Sequence, residues 1–483
     1  MNRTTGAARK PGATLLVFGV LLAASAAAGL TIPRFFEMAP KTQNFYGLML
    51  VGLLYALALV VDTRAALWVG LLVAVSFLSV TGFQHDLVPR TQLRVSALDC
   101  ILFSLGVVLL VSQPRRWGEW GRVCPGFKKA LARYFWLIPM GVVVCLLRGV
   151  DMMFAVTVIK HFYYPIIFLF VLPRIVQTRR QFGLVLAIAL LLAAGSAIRS
   201  RVTGPPLDQP LTAKHTATLE RSAGQWGTQN PFANYLMFAV IVPLSFVLRM
   251  ENPRRVIPAA AFAGVAAWGL LGTFTRGAWL GCAVGAGFLA GIERFNRLLV
   301  LIIALAVIVP MLPAAVHERA KERQDSSTTK RLHWWETGWR ATLRYPVAGA
   351  GWGAGFILVG DTLYEYPGGL PWWHNDYLSV SSQTGLIGLG VFVAMWWSLI
   401  AEGLRAARRT ADPFLKPVLL GLTASIVASL VHAFFEPVFW RFDCGPHNWF
   451  LVSCLLTAIM LARSAPTAET APAKREPMEA ATV

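Results

Sequence analysis

His374-Asn375-Asp376-Tyr377-Leu378-Ser379-Val380-Ser381-Ser382-Gln383-Thr384-Gly385-Leu386-Ile387-Gly388-Leu389 marks where a long polar loop runs into a hydrophobic helix, which we read over 378–400. A run of this length crosses a bilayer core about 30 Å thick. Further apolar runs fall at 13–31, 45–61, 66–83, 96–112, 134–149, 152–172, 182–198, 232–248, 256–273, 278–292, 298–314, 415–435 and 447–462. Composition agrees, with 56% hydrophobic and only 14% charged residues. A soluble chain of this length would divide into domains with charge-rich surfaces. The expected fold is all-α: a polytopic transmembrane helical bundle of about 12–14 spans, with a long, partly helical loop on one side.

Charge sets the orientation. With the N-terminus inside, cytoplasmic segments carry 25 Lys/Arg and outside segments 18, of which 11 lie in two long loops. Long loops escape the positive-inside rule, so the short ones decide, at 25 against 7. Topology therefore accounts for the +20 net charge. Nucleic-acid binding would need a basic face on a folded soluble domain, and the sequence offers none. Arg9-Lys10, an apolar run and Ala23-Ala24-Ser25-Ala26-Ala27-Ala28 resemble a signal peptide, but the run continues through Leu30 and Ile32, as an uncleaved first helix would. Cys100, Cys124, Cys145, Cys282, Cys444 and Cys454 form neither a disulfide framework nor a metal-type spacing, although a Cys145–Cys444 bridge stays open. We divide the chain into N-terminal transmembrane helices (1–200), a central region (201–400) with its long loop at 315–373, C-terminal transmembrane helices (401–463) and a tail (464–483) expected to be disordered.

The residues fit for chemistry sit on the outside face. Arg276, in Thr275-Arg276-Gly277-Ala278-Trp279, occupies a short turn between two spans. Such a turn holds a guanidinium firmly enough to bind phosphate, while snorkelling to headgroups would place it equally well. Gly277, Gly281 and Gly285 follow at four-residue spacing, a face that permits close helix packing. Arg221 precedes Asn230-Pro231, which opens a span and could offer its helix N-terminus to an anion; an ordinary loop arginine is the other reading. His374 is placed to take a proton from a hydroxyl, with Asn375 beside it to orient the ring; its alternative role is to begin the helix. Ser326 to Thr329 can cap a helix through Arg331, Trp334, Trp335 and Trp339, whose aromatics suit the bilayer surface. Lys160-His161, with Asp99 nearby, reads as a structural ion pair, and Glu436, Arg441, Asp443 and His447 read as a structural network in the last outside turn.

Taken together, Arg221…Asn230-Pro231-Phe232-Ala233, Thr275-Arg276-Gly277-Ala278-Trp279, and Arg331…Trp335 leading through Pro346-x-x-Gly349-x-Gly351 to His374-Asn375-x9-Gly385 resemble the O-antigen ligase/polymerase superfamily of bacterial membrane glycosyltransferases. The resemblance covers about 219–400. It implies a periplasmic-face, metal-independent, inverting transfer from a glycan on undecaprenyl pyrophosphate, with no cofactor, in the bacterial inner membrane. By motif, Arg221 and Arg276 would bind the pyrophosphate and His374 would activate the acceptor hydroxyl. Arg199 or Arg201 could replace Arg221 as the arginine before Asn-Pro, and Arg331 and Asn375 complete the substrate-contact candidates. The acceptor would be lipid A–core in a ligase, the reading we favour, another lipid-linked repeat in a polymerase, or a protein Ser/Thr in an oligosaccharyltransferase. A lipid-linked glycan flippase would instead need charge lining a path between leaflets, and Lys160-His161 is the main charge deep in a span.

Overall fold

The computed structural model describes residues 63–77, 84–88, 93–112, 120–149, 152–203, 229–249, 253–293, 326–353, 373–439 and 444–464. The expected spans at 13–31, 45–61 and 298–314 lie outside them, as do Arg221, Arg441, Asp443 and the tail. The described chain is an all-α bundle with one short hairpin. Its helices of eight residues or more are α1 (Thr63–Phe77), α2 (Ala97–Ser112), α3 (Pro125–Leu147), α4 (Met152–Tyr163), α5 (Phe168–Ile175), α6 (Arg179–Thr203), α7 (Gln229–Val247), α8 (Pro253–Gly272), α9 (Arg276–Glu293), α10 (Ser326–Arg344), α11 (Asp376–Arg409), α12 (Leu415–His432) and α13 (Gly445–Ser464). Antiparallel strands β1 (Gln84–Val88) and β2 (Leu93–Ser96) pair between α1 and α2, with Gln84 opposite Ser96.

Among the described residues, α3, α6, α7, α11, α12 and α13 are long and apolar enough to cross a membrane, and α8 and α9 contain shorter apolar helices. The protein is a multi-pass membrane protein. Two expectations change in detail. The run at 152–172 is not one helix but α4, a 3₁₀ turn at Tyr164–Ile167 and α5. Pro165 falls in that turn, where the missing N–H and the ring interrupt the helical ladder. The run at 182–198 extends to Thr203, so Arg199 and Arg201 ride on α6 and not on a loop, with Arg201 in its last turn.

Apolar side chains gain little from leaving lipid for one another, so helices in a bilayer associate through close fit. α12 packs against α7, α9, α11 and α13. The Gly277, Gly281 and Gly285 face of α9 is what lets α12 approach, since an added Cβ would meet Phe435, the Ala428 carbonyl and the Ala424 carbonyl respectively.

α11 is the element that carries the opening motif, and it is broken at Gly385 (φ 69°, ψ −172°). That conformation is essentially restricted to glycine. The break frees helix carbonyls, and the chain after α10 fills the gap. Ala350 N–H donates to the Ser382 carbonyl (2.8 Å), Gly351 N–H to Gln383 (3.0 Å), and Leu386 N–H to Pro346 (2.7 Å). Gly353 N–H donates to the Gln383 side chain at 2.9 Å. The outer piece, Asp376 to Thr384, is thus stitched backbone to backbone to the 346–353 segment. Trp352 completes the joint by donating its indole N–H to the Leu137 carbonyl of α3 at 3.1 Å. Cys145 donates its thiol to the Trp352 carbonyl, and neither Cys145 nor Cys444 is in a disulfide, so the open bridge is absent.

A Cβ at Gly385 would run into the Val347 carbonyl, whereas one at Gly390, on the same helix, meets nothing within 4 Å. Gly385→Ala should therefore destabilise the protein by roughly 1–3 kcal/mol, while Gly390→Ala costs nothing. Thermal unfolding in detergent micelles checks the pair, and equal midpoints would contradict the stitched break.

Candidate functional site

A single buried carboxylate organises the end of the bundle where α7, α9 and α11 begin. Glu436, just beyond α12, has a side chain that is 0% exposed. His374 Nδ1 lies 2.9 Å from its Oε2. Asn230 Nδ2, near the start of α7, donates to the same oxygen at 2.7 Å, and Arg331 Nη2 of α10 stands 3.8 Å away. Asn230 in turn accepts from the Thr275 hydroxyl at 3.3 Å, which attaches the Arg276 turn. Three of the segments singled out in the sequence thereby meet a fourth at one residue.

Each side chain is held by its local fold. Asn375 is the N-cap of α11, its side-chain oxygen accepting from Leu378 N–H at 3.0 Å. Capping by Asn satisfies an otherwise orphaned helix donor. Its side chain therefore fixes the helix start beside the histidine. His374 itself adopts φ 47°, a left-handed conformation that His tolerates better than most side chains. The turn lays the imidazole flat on Trp334, with ring centroids 4.7 Å apart and planes 15° from parallel. Trp335 donates to the His374 carbonyl at 3.4 Å and packs its ring near Phe435. With the His374 side chain 22% exposed, a reactant can still reach the imidazole.

The next residue locks the two outer segments together. Asp376, 0% exposed, accepts at Oδ2 from Val438 N–H and Phe439 N–H, each at 3.0 Å. Its own N–H donates to the Ala433 carbonyl at 2.8 Å. The turn carrying Glu436 is therefore bonded on both sides to the start of α11. A second buried series braces it from below. His432 Nδ1 lies 3.5 Å from the Asn234 oxygen, Asn234 donates to Asn448 at 3.2 Å, and Asn448 donates to the Val438 carbonyl at 2.7 Å.

Arg276 is the first residue of α9, half-buried, with Thr275 and Gly277 on either side packed against Asn230 and Phe435. Its turn includes Phe274 at φ 51°; Phe274 and His374 are the non-glycine residues with positive φ among the described residues, and they flank the same site. Arg201 is buried against Gly272, at the base of that turn, with its guanidinium 5.7 Å from the Trp268 ring centroid. Arg199 is exposed one turn-position away. Of the last outside turn, Glu436 joins His374, whereas His447 is buried between the Tyr235 and Phe238 rings. The direct Glu436–His374 pairing, the Asn230 side chain and Asp376 were not assigned these roles from sequence. Among the described residues no group of three or more His, Cys, Asp or Glu side chains is placed to hold a metal ion.

Residues 259–393 match the O-antigen ligase family model. No curated protein sequence matches the chain. The matched segment contains Arg276, Arg331, Trp334, Trp335, His374, Asn375 and Gly385, while Asn230 and Glu436 lie outside it. The resemblance read from the motifs thus holds over this segment, and it supports an O-antigen ligase/polymerase-type, glycosyltransferase-like function.

Removing Asp376 would leave two buried backbone donors without partners. Asp376→Ala should lower stability by about 2 kcal/mol or more, with Asp376→Asn milder because its amide oxygen can still accept. Thermal unfolding of the purified variants checks this; an Ala variant as stable as wild type would show that the Val438 and Phe439 bonds are dispensable.

Proposed function

We propose that this protein is a glycosyltransferase of the bacterial inner membrane, working on the periplasmic face to move a glycan from undecaprenyl pyrophosphate to an acceptor hydroxyl, with lipid A–core as the acceptor. The observation that carries the reading is the His374–Glu436 pair beside the Arg276 turn; His374 and Arg276 lie within the segment that matches the O-antigen ligase family, and Glu436 lies outside it.

The chemistry follows from the atoms. A carboxylate accepts only, so His374 Nδ1 donates to Glu436 and Nε2 is left with its lone pair. Nε2 then takes the proton of the acceptor hydroxyl as that oxygen attacks the anomeric carbon from the face opposite the departing group. The bond between the anomeric carbon and the pyrophosphate oxygen breaks, its electron pair leaves with the pyrophosphate, and the configuration inverts. Glu436 holds the ring in this orientation through its bond to Nδ1. Charge on the leaving group is met by Arg276 and Arg221. It is met as well by the N-termini of α7, α9 and α11, which open at Gln229, Arg276 and Asp376 around the Glu436 turn. Arg201 supports the Arg276 turn, Arg331 balances Glu436, and Arg199 reaches the donor headgroup. With cations and helix ends already in place, the leaving group can be stabilised without a divalent metal. The catalytic region is then 201–400 together with the turn that bears Glu436.

Purified protein given a labelled undecaprenyl-pyrophosphate oligosaccharide should form product only when lipid A–core is added. A ladder of longer lipid-linked glycans without it would identify a polymerase, and no transfer to any acceptor would remove the enzyme reading. Activity should persist in chelator; dependence on added Mg²⁺ would sink the metal-free step. His374→Ala should reduce turnover by at least about 100-fold with donor binding retained. Arg276→Ala should weaken donor binding itself, and Arg276→Lys should restore it only in part, because a bidentate phosphate contact is lost.

A further inference from the structure

The face of α10 turned away from His374 carries an exposed apolar stripe. Leu332, Trp339 and Leu343 are 58%, 50% and 59% exposed, and Val347, just past the helix, is 64% exposed. Spacings of seven and four residues put the first three on one stripe along a helix about 28 Å long. The neighbouring flank is polar, with His333, Glu336, Arg340 and Arg344 exposed. Glu336 pairs with Arg340 at 2.5 Å, and the flank holds two arginines to one acid. The opposite side of the helix is occupied: Trp334 covers His374, Gly338 and Ala341 are buried, and Thr342 is 2.9 Å from Ser381 of α11.

We infer that this stripe is seated in the outer leaflet of the bilayer, with Arg340 and Arg344 at the lipid phosphates. Two observations select lipid over a protein partner. The first is continuity. The end of α10 abuts the outer end of the membrane-crossing α3, where Arg148 lies over the Tyr345 ring at 3.7 Å. There α3 exposes Val143, Leu146 and Leu147, the last at 81%, and the outer part of α11 exposes Leu386 and Ile387 around the bond between Leu386 N–H and Pro346. Exposed apolar side chains on membrane-crossing helices face lipid, and the α10 stripe prolongs that belt. The second is charge: a helix with an apolar stripe, an interfacial Trp and a flanking pair of arginines matches the amphipathic profile of the headgroup boundary. The consequence for the site is mechanical. One face of α10 lies in lipid while the other holds the imidazole, so the membrane fixes the height at which His374 meets its reactants. This inference concerns the surface alone and stands whether or not the proposed transfer reaction is right.

Spin labels introduced by Leu332→Cys, Leu343→Cys and His333→Cys, in protein reconstituted into phosphatidylcholine bilayers, test it. Wild-type protein carried through labelling supplies the background. The Leu332 and Leu343 labels should be relaxed by oxygen and shielded from aqueous nickel chelate, at a depth of about 5–10 Å, with the His333 label reached by nickel. Nickel access at all three would overturn the inference, and so would exclusion of both reagents, which would mean that protein covers the stripe. Replacing part of the phosphatidylcholine with phosphatidylglycerol should deepen the Leu343 label; an unchanged depth would overturn the role given to Arg340 and Arg344.

Discussion

A carboxylate withdrawn from water must be met by donors, and the Glu436 carboxylate draws its donors from three other segments. Asn230 comes from the start of α7, Arg331 from α10 and His374 from the residues before α11, while Thr275 joins through Asn230. Asn230 and His374 lie 206 and 62 positions from Glu436 in sequence, and lipid supplies no hydrophobic drive to assemble these polar ends. The shared oxygen makes the outer ends of α7, α9, α10 and α11 converge, and with them the arginine turn and the imidazole. Removing any one donor would leave the others around an under-satisfied charge, so the node is cooperative by construction.

The orientation of that node depends on the break in α11. Were Asp376 to Arg409 one straight helix, the Leu386 N–H would go to the Ser382 carbonyl; instead it goes to Pro346, and Ser382 accepts from Ala350. Gly385 gives up helical continuity, and the 346–353 segment takes up the freed groups. The spacing of nine residues from His374-Asn375 to Gly385 then has a structural meaning: it is the length of outer helix between the capped start and the stitched break. The signature encodes a rigid post with the histidine at its head.

Much of this was legible in the sequence, for identifiable reasons. Long apolar runs fix helices because the bilayer leaves the backbone no other satisfied conformation. The Thr275-Arg276-Gly277 turn, the helix beginning at Ser326 and the close-packed glycine face of α9 followed from local chemistry alone. The sidedness of Lys and Arg placed Arg276, His374 and the Asn230 segment on one face, though it could not say which would touch. Glu436 was legible as an outside acid but read as part of a local network with His447, because sequence neighbours on a turn look like partners. The pairing with His374 spans 62 positions and depends on the packing of α11 against α12. Asn375 illustrates the reverse: as a polar neighbour of the histidine it looked like its orienter, yet capping geometry commits its oxygen to Leu378 N–H.

Whether His374 and Glu436 act as one unit is measured directly by a double-mutant cycle on transfer rate. Substituting Glu436→Gln keeps an acceptor at the site but gives up the charge-assisted bond, a change worth about a factor of ten. In the His374→Ala background the same substitution should have almost no further effect on turnover, since the group that Glu436 orients is already gone. If instead the two losses multiply, the residues act independently, and the carboxylate at the centre of this structure only holds the fold.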